Sequence, residues 1–356
     1  MKIFSKYRLF TVIAFFIFGN TLLTKTVFQG GKDFYLSALI AVCFAAIILV
    51  AVTAPFLKYP YLTAGEYIKM KTGKAGEKAI NALLLIFLSL SALKLYLEFI
   101  KFLTSVSLNI TPNYFIAIAV SVFVLLLSLL GIENISAYTS AVFIFAAAFA
   151  VYSVISGASL FKIETFMPLA DIKTEKMLGN AAEIFLFILS DVAAIIFFCK
   201  RGSNGKDVLK SSLAALAVWF AVTAAVGALP IAVFGEGYEI FKYPVFQALA
   251  SVKGVSFLPK NSFLFLVLGF IIMIIKLSVT LSFIGEVTEN ITGGKRTGKA
   301  RIITRAVPVV LITSVASFLL INGIKAEEEI KMICAVAAVA SFSALLILNL
   351  KRYRRK

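Results

Sequence analysis

The stretch RLFTVIAFFIFGNTLLTKTVF, residues 8–28, decides the fold. It is apolar and long enough to cross a bilayer, which takes about 20 mostly apolar residues. Yet Phe18, Gly19, Asn20 and Thr21 stand near its middle. Gly and Asn are poor helix formers, and Asn competes for backbone hydrogen bonds. Two readings are open at this point. Either an intact helix tolerates the pair, or the helix unwinds and turns freed N–H and C=O groups toward a ligand, as broken helices do at the midplane of transporters. The stretch does not read as a cleaved leader, because it lacks a small-residue cleavage site and nine further apolar spans follow it.

Those spans lie roughly at 34–57, 79–100, 114–131, 136–160, 179–199, 209–233, 261–284, 303–322 and 331–350, which makes ten in all. The composition agrees. Of 356 residues 61% are hydrophobic and 15% charged, and mean hydropathy is +0.98. Soluble domains are about 45–50% apolar and about 25% charged, so an ordinary soluble enzyme, a disordered chain and a collagen-like chain are excluded. With no His, there is no His-based metal site or triad. No enzyme activity, metal or cofactor is expected. Cys43, Cys199 and Cys334 are far apart and read as buried small hydrophobes.

The net charge of +17 would suggest nucleic acid in a soluble protein. Here it reads as topology. With both termini cytoplasmic, the inside segments hold 22 Lys+Arg and the outside segments 11, while Lys94 and Lys276 remain within spans. That is the positive-inside pattern, and the basic tail KRYRRK, residues 351–356, suits an anionic leaflet. Membrane lipid is therefore the expected partner of the charge, and nucleic acid is not. The loops are too short for a soluble domain, so residues 1–356 are expected to form a single transmembrane domain. Segments 58–78 and 234–260 read as short helices lying at the membrane surface. The loop GGKRTGKA, residues 293–300, nearly matches a phosphate loop, but Ala300 stands where Ser or Thr would hold the metal and no strand precedes it. It is a basic loop.

Ionisable groups at bilayer depth are costly and mark candidate sites. Lys94 and Glu98 are four apart in span 3, share a helix face and can pair. In the bland reading they are a structural pair, with Lys101 snorkelling outward. Span 6 carries Glu183 one turn from its outer end and Asp191 deeper, eight residues apart and so about 80° apart around the helix. Either could serve a ligand's ammonium or cycle a proton, or could be locked to Lys94 or Lys276. Lys276 in span 8 is too deep to snorkel and needs a carboxylate or carbonyl partner.

In order along the chain stand SKYRLF (5–10), YPYLTAGEY (59–67), TGKAG (72–76), KLYLEFIK (94–101), ITP (110–112), GIENI (131–135), Pro168, EIFLF (183–187), YP (243–244) and SVKGV (251–255). Through this set the chain resembles the B subunit of bacterial spore germinant receptors, in the amino acid/polyamine/organocation permease superfamily. The resemblance implies an all-α integral membrane protein of ten helices in a LeuT-like inverted five-plus-five repeat, about 8–160 and 179–322 with further spans to 350, and with helices 1 and 6 interrupted. It implies a membrane subunit that binds a small germinant, an amino acid first of all, to trigger germination. It also implies A and C receptor subunits as partners and the spore inner membrane as location. Residue by residue, the ligand-binding set carried over is Gly19, Asn20, Thr21, Lys94, Glu98, Glu183, Ile274 and Lys276, with Asp191 added from its depth. The chain departs from the pattern where Thr21 and Thr26 replace a Gly and a Pro, where Lys94 replaces Arg, and where Ser190 and Asp191 stand near an expected Pro. A proton-coupled amino acid transporter is the alternative function, since Glu183 and Asp191 suit proton coupling.

Overall fold

The computed structural model describes residues 4–19, 21–60, 62–158, 161, 166, 174–199, 201, 205–252, 260–292, 299–321 and 327–350. Asn20, the loop residues 293–298 and the tail 351–356 lie outside them. Among the described residues the chain is all-helical, with no strand. The helices are α1 (Lys6–Phe18), α2 (Phe34–Lys58), α3 (Ala64–Val106), α4 (Asn113–Leu130), α5 (Ile132–Gly157), α6 (Thr174–Ala194), α7 (Gly205–Phe234), α8 (Pro244–Ser251), α9 (Asn261–Thr292), α10 (Lys299–Ile321) and α11 (Glu327–Leu350), joined in places by 3-10 turns.

Seven stretches are long and apolar enough to cross a membrane: Gly31–Lys58, Ala64–Val106, Asn113–Leu130, Ile132–Gly157, Thr174–Phe198, Gly205–Phe234 and Asn261–Thr292. The other three expected spans fall short by this measure among the described residues. α1 stops after 13 residues. The apolar stretches Ala306–Leu320 and Met332–Leu348 are each under 18 residues.

Local chemistry sets the boundaries. Ser5 caps α1, its hydroxyl accepting from the Arg8 N–H at 3.3 Å. Thr63 and Glu66 form a reciprocal capping box at the start of α3, with bonds of 2.7 and 3.1 Å. Gly73, at φ 73°, kinks α3 within its 43 residues, a backbone angle that favours glycine. The kink sets 64–72 apart from the rest of α3 as a short helix of its own. Its Tyr67 is buried and its ring lies 5.4 Å from that of Phe56. Pro244 opens α8, whose Val245, Ala248 and Leu249 are buried against helices α7 and α9. The short helix expected in this segment is there, and its apolar stripe has protein to cover it.

Two ends of the bundle can be told apart. At one, the Phe4 N–H donates to the Arg201 carbonyl at 2.8 Å, and the start of α7 abuts the end of α2, where a Cβ on Gly205 would lie 2.3 Å from the Phe56 carbonyl. At the other, the Tyr238 hydroxyl donates to the Phe28 carbonyl at 2.7 Å and the Ser37 hydroxyl to the Met177 carbonyl at 3.1 Å. Burial pushes the Tyr238 phenol up. In the middle, α1 is buried continuously from Thr11 to Ile17 and α9 from Ile272 to Gly285. A helix apolar all round belongs in a core, and α1 lies against α5, α6, α7 and α9. By contrast only 6 of the 26 residues of α5 are buried, as in a lipid-facing helix. Cys43 is exposed on α2, not buried, because it faces outward from the bundle.

Candidate ligand-binding site

α1 ends where the sequence broke its pattern. Gly19 leaves helical geometry at φ 4°, ψ −84°, with its N–H donating to the Phe15 carbonyl at 2.9 Å. Short 3-10 turns follow at Thr21–Leu23, Thr26–Phe28 and Gly31–Asp33. Of the two open readings, the interruption is the one realised. The break lies where Lys276 passes closest: a Cβ on Gly19 would lie 2.0 Å from Cδ of Lys276. The stem of Lys276 crosses the backbone of α1 at a residue without a side chain.

Beyond Gly19 the Lys276 ammonium donates to Asp191 Oδ2 at 2.8 Å. The two side chains are 7% and 5% exposed. The ammonium also sits 5.7 Å from the centroid of Phe16, on the last turn of α1. A helix C-terminus carries partial negative charge on its free carbonyls. Lys276 thus meets a carboxylate, an aromatic face and the negative end of α1 together. This suits a cation held at depth, for which an unpaired charge would be prohibitive.

Lys94 belongs to the same neighbourhood. With Ser91, Ser190, Asp191, Lys276 and Thr280 it lines a cavity of about 30 Å³ among α3, α6, α9 and α11. That volume suits a single water molecule, with polar groups to hold it. Lys94 pairs with Glu98 at 3.6 Å along α3, and its ammonium lies 5.3 Å from the Phe187 ring centroid. At 21% and 25% exposure this pair is less buried than the first. Thr280 donates to the Lys276 carbonyl at 2.9 Å, so its hydroxyl is satisfied within α9.

The rest of the expected set divides. Thr21 is fully buried, and its hydroxyl accepts from the indole of Trp219 at 2.7 Å, which ties the broken segment to α7. Ile274 is buried in α9, two residues from Lys276. Asn20 lies outside the described residues. Glu183 is exposed on α6 and does not join the cluster. The eight-residue spacing from Asp191 already turns it to another side of the helix. The interruption of helix 6 that the resemblance implies does not fall within Thr174–Ala194. α6 runs unbroken from Thr174 to Ala194 and only then tightens into a 3-10 turn, Ile195–Phe198. Gly179 faces open space, so nothing there demands an opening.

A buried ion pair escaped the sequence reading. Arg201, 4% exposed, donates to Glu286 at 2.9 Å and to the Phe197 carbonyl, and lies 5.6 Å from the Phe283 ring centroid. It closes the Phe4 end beneath a stack of Phe16, Phe197, Phe198 and Phe283. Both partners stand just beyond apolar spans, where they count as ordinary loop charges. Only an acid and a base at the same end of two adjoining spans could have signalled them.

No individually curated protein matches the chain. The family model described as spore germination protein matches residues 3–348, nearly its whole length. The family is of permease type, and together with the apolar helices it marks an integral membrane protein. The chain belongs to the spore germination protein family.

Proposed function

We propose that the chain is the membrane subunit of a nutrient germinant receptor, binding a small germinant, an amino acid, where α1 breaks. The observation that carries this reading is the buried Lys276–Asp191 pair seated on Gly19. A zwitterion needs a cation for its carboxylate and an acceptor for its ammonium. Lys276 supplies the first, and Asp191 with the partial negative charge at the C-terminus of α1 supplies the second. Ligand and pair would exchange partners, which gives binding a way to move α1, α6 and α9 against one another. The arrangement suits ten crossings in an inverted five-plus-five repeat, with α9 as the eighth. The basic segments at the Phe4 end favour cytoplasmic termini. In this reading the subunit works in the spore inner membrane beside A and C receptor subunits.

The test is a binding screen of the purified chain against amino acids, sugars and nucleosides. Binding of an amino acid, lost in Gly19→Leu while the protein stays in the membrane, supports the reading. Binding of only sugars or nucleosides contradicts it. The buried carboxylate of Asp191 also favours a second reading, proton-coupled amino acid transport. Proteoliposome uptake separates the two: accumulation driven by a proton gradient belongs to the transporter alone.

A further inference from the structure

We infer that Trp219 is a positioning residue of the ligand site: its indole holds the Thr21 hydroxyl so that the O–H faces the α1 break and donates to the carboxylate of the bound amino acid. The inference rests on the reading that an amino acid is held at that break. Trp219 is the chain's single tryptophan and is buried in α7. An indole N–H can only donate, and when buried it needs an acceptor. It finds the Thr21 hydroxyl at 2.7 Å. Thr21 stands two residues past Gly19, which keeps the two Cα atoms within about 7 Å of each other.

A threonine hydroxyl has one proton and two lone pairs. Inside a helix the proton commonly goes to the carbonyl four residues back. Thr53, Thr280 and Thr288 do this, reaching the carbonyls of Leu49, Lys276 and Ile284 at 2.8, 2.9 and 2.8 Å. Thr21 lies beyond the end of α1 and makes no such bond. A lone pair takes the indole, and among the described residues the proton has no acceptor. Thr21 is fully buried, so water does not satisfy it, and an unused buried donor is costly. With its oxygen held toward α7, the O–H points away from α7 and back toward α1. A zwitterion at the break removes the cost. Its ammonium offers only donors, so the Thr21 proton goes to its carboxylate, alongside the Lys276 ammonium.

The experiment titrates the purified full-length chain with leucine and follows tryptophan emission, which comes from Trp219 alone. Leucine is the probe because its side chain holds no polar group, so only its head can meet a hydroxyl. Binding should shift the emission of the parent, since a hydroxyl that donates to a carboxylate accepts more strongly from the indole. Thr21→Val keeps the shape and removes the hydroxyl. It should bind leucine about ten- to a hundredfold more weakly, with no emission shift. Thr21→Ser should restore both affinity and shift. Trp219→Phe leaves the hydroxyl unheld and should weaken binding about two- to tenfold; with Thr21→Ser it carries the test should Thr21→Val fail to fold. A merely structural tie would lower the melting temperature of Thr21→Val or Trp219→Phe while folded protein binds leucine like the parent. That result overturns the proposal and leaves binding at the break intact. A parent that binds leucine with unchanged emission overturns it too, as does a Thr21→Ser variant that binds as weakly as Thr21→Val. No binding of leucine to the parent overturns both the proposal and the reading it rests on.

Discussion

α1 and α6 were expected to break as a matched pair, and they behave differently. α1 stops at Gly19, where the stem of Lys276 occupies the space a Cβ would need. α6 passes through Gly179 and Asn180 without interruption, and Gly179 faces open space. The same residue type has opposite consequences. A glycine permits a break but does not require one. At Gly19 the neighbour is also a cation, which the negative end of α1 favours.

The comparison breaks most sharply at Lys276. Lys276→Ala would leave Asp191 buried and unpaired, a loss of about 3–5 kcal/mol, and should abolish folded yield in size-exclusion chromatography. The double change Lys276→Met with Asp191→Leu removes both charges and should recover most of that yield. A double variant that recovers no yield would mean that the pair is not what holds α6 to α9.

The two glycines give the next test. Gly19→Ala places a methyl in the path of Lys276 and should cost about 1–3 kcal/mol through overpacking. Gly179→Ala sits in a continuous helix facing open space and should instead stabilise by about 0.5–1 kcal/mol. Thermal melts of the two variants should shift in opposite directions, and equal shifts would erase the distinction drawn between the helices.

A smaller effect is expected at Lys94 and Glu98, which are partly exposed. A double-mutant cycle to Ala should show a coupling of about 1–2 kcal/mol. Strict additivity would show that the pair does not act as a unit. The smallest effect belongs to Glu183→Gln. Since Glu183 is exposed and apart from the cluster, nutrient response should match the parent, including its pH dependence.

Much of this was legible in the sequence, and the pattern of successes has a physical basis. The all-helical membrane class followed from long apolar runs, while Gly19 and Asn20 inside one of them left an intact and a broken span both open. Lys94, Asp191 and Lys276 stood out because ionisable groups at depth must find one another. Which acid Lys276 would choose was not legible. Asp191 and Glu183 differ by about 80° around α6, and only the tertiary fold shows which side faces α9. Arg201 and Glu286 were missed because a charge at the end of a span is ordinary until the fold buries it.

The central claim is that the pair at the α1 break holds the ligand. It is tested most directly by calorimetric titration of leucine into two folded proteins, the parent and the Lys276→Met, Asp191→Leu double variant. The account predicts saturable binding to the parent and none to the double variant at the same concentrations. Equal affinity in both would place the site elsewhere in the bundle.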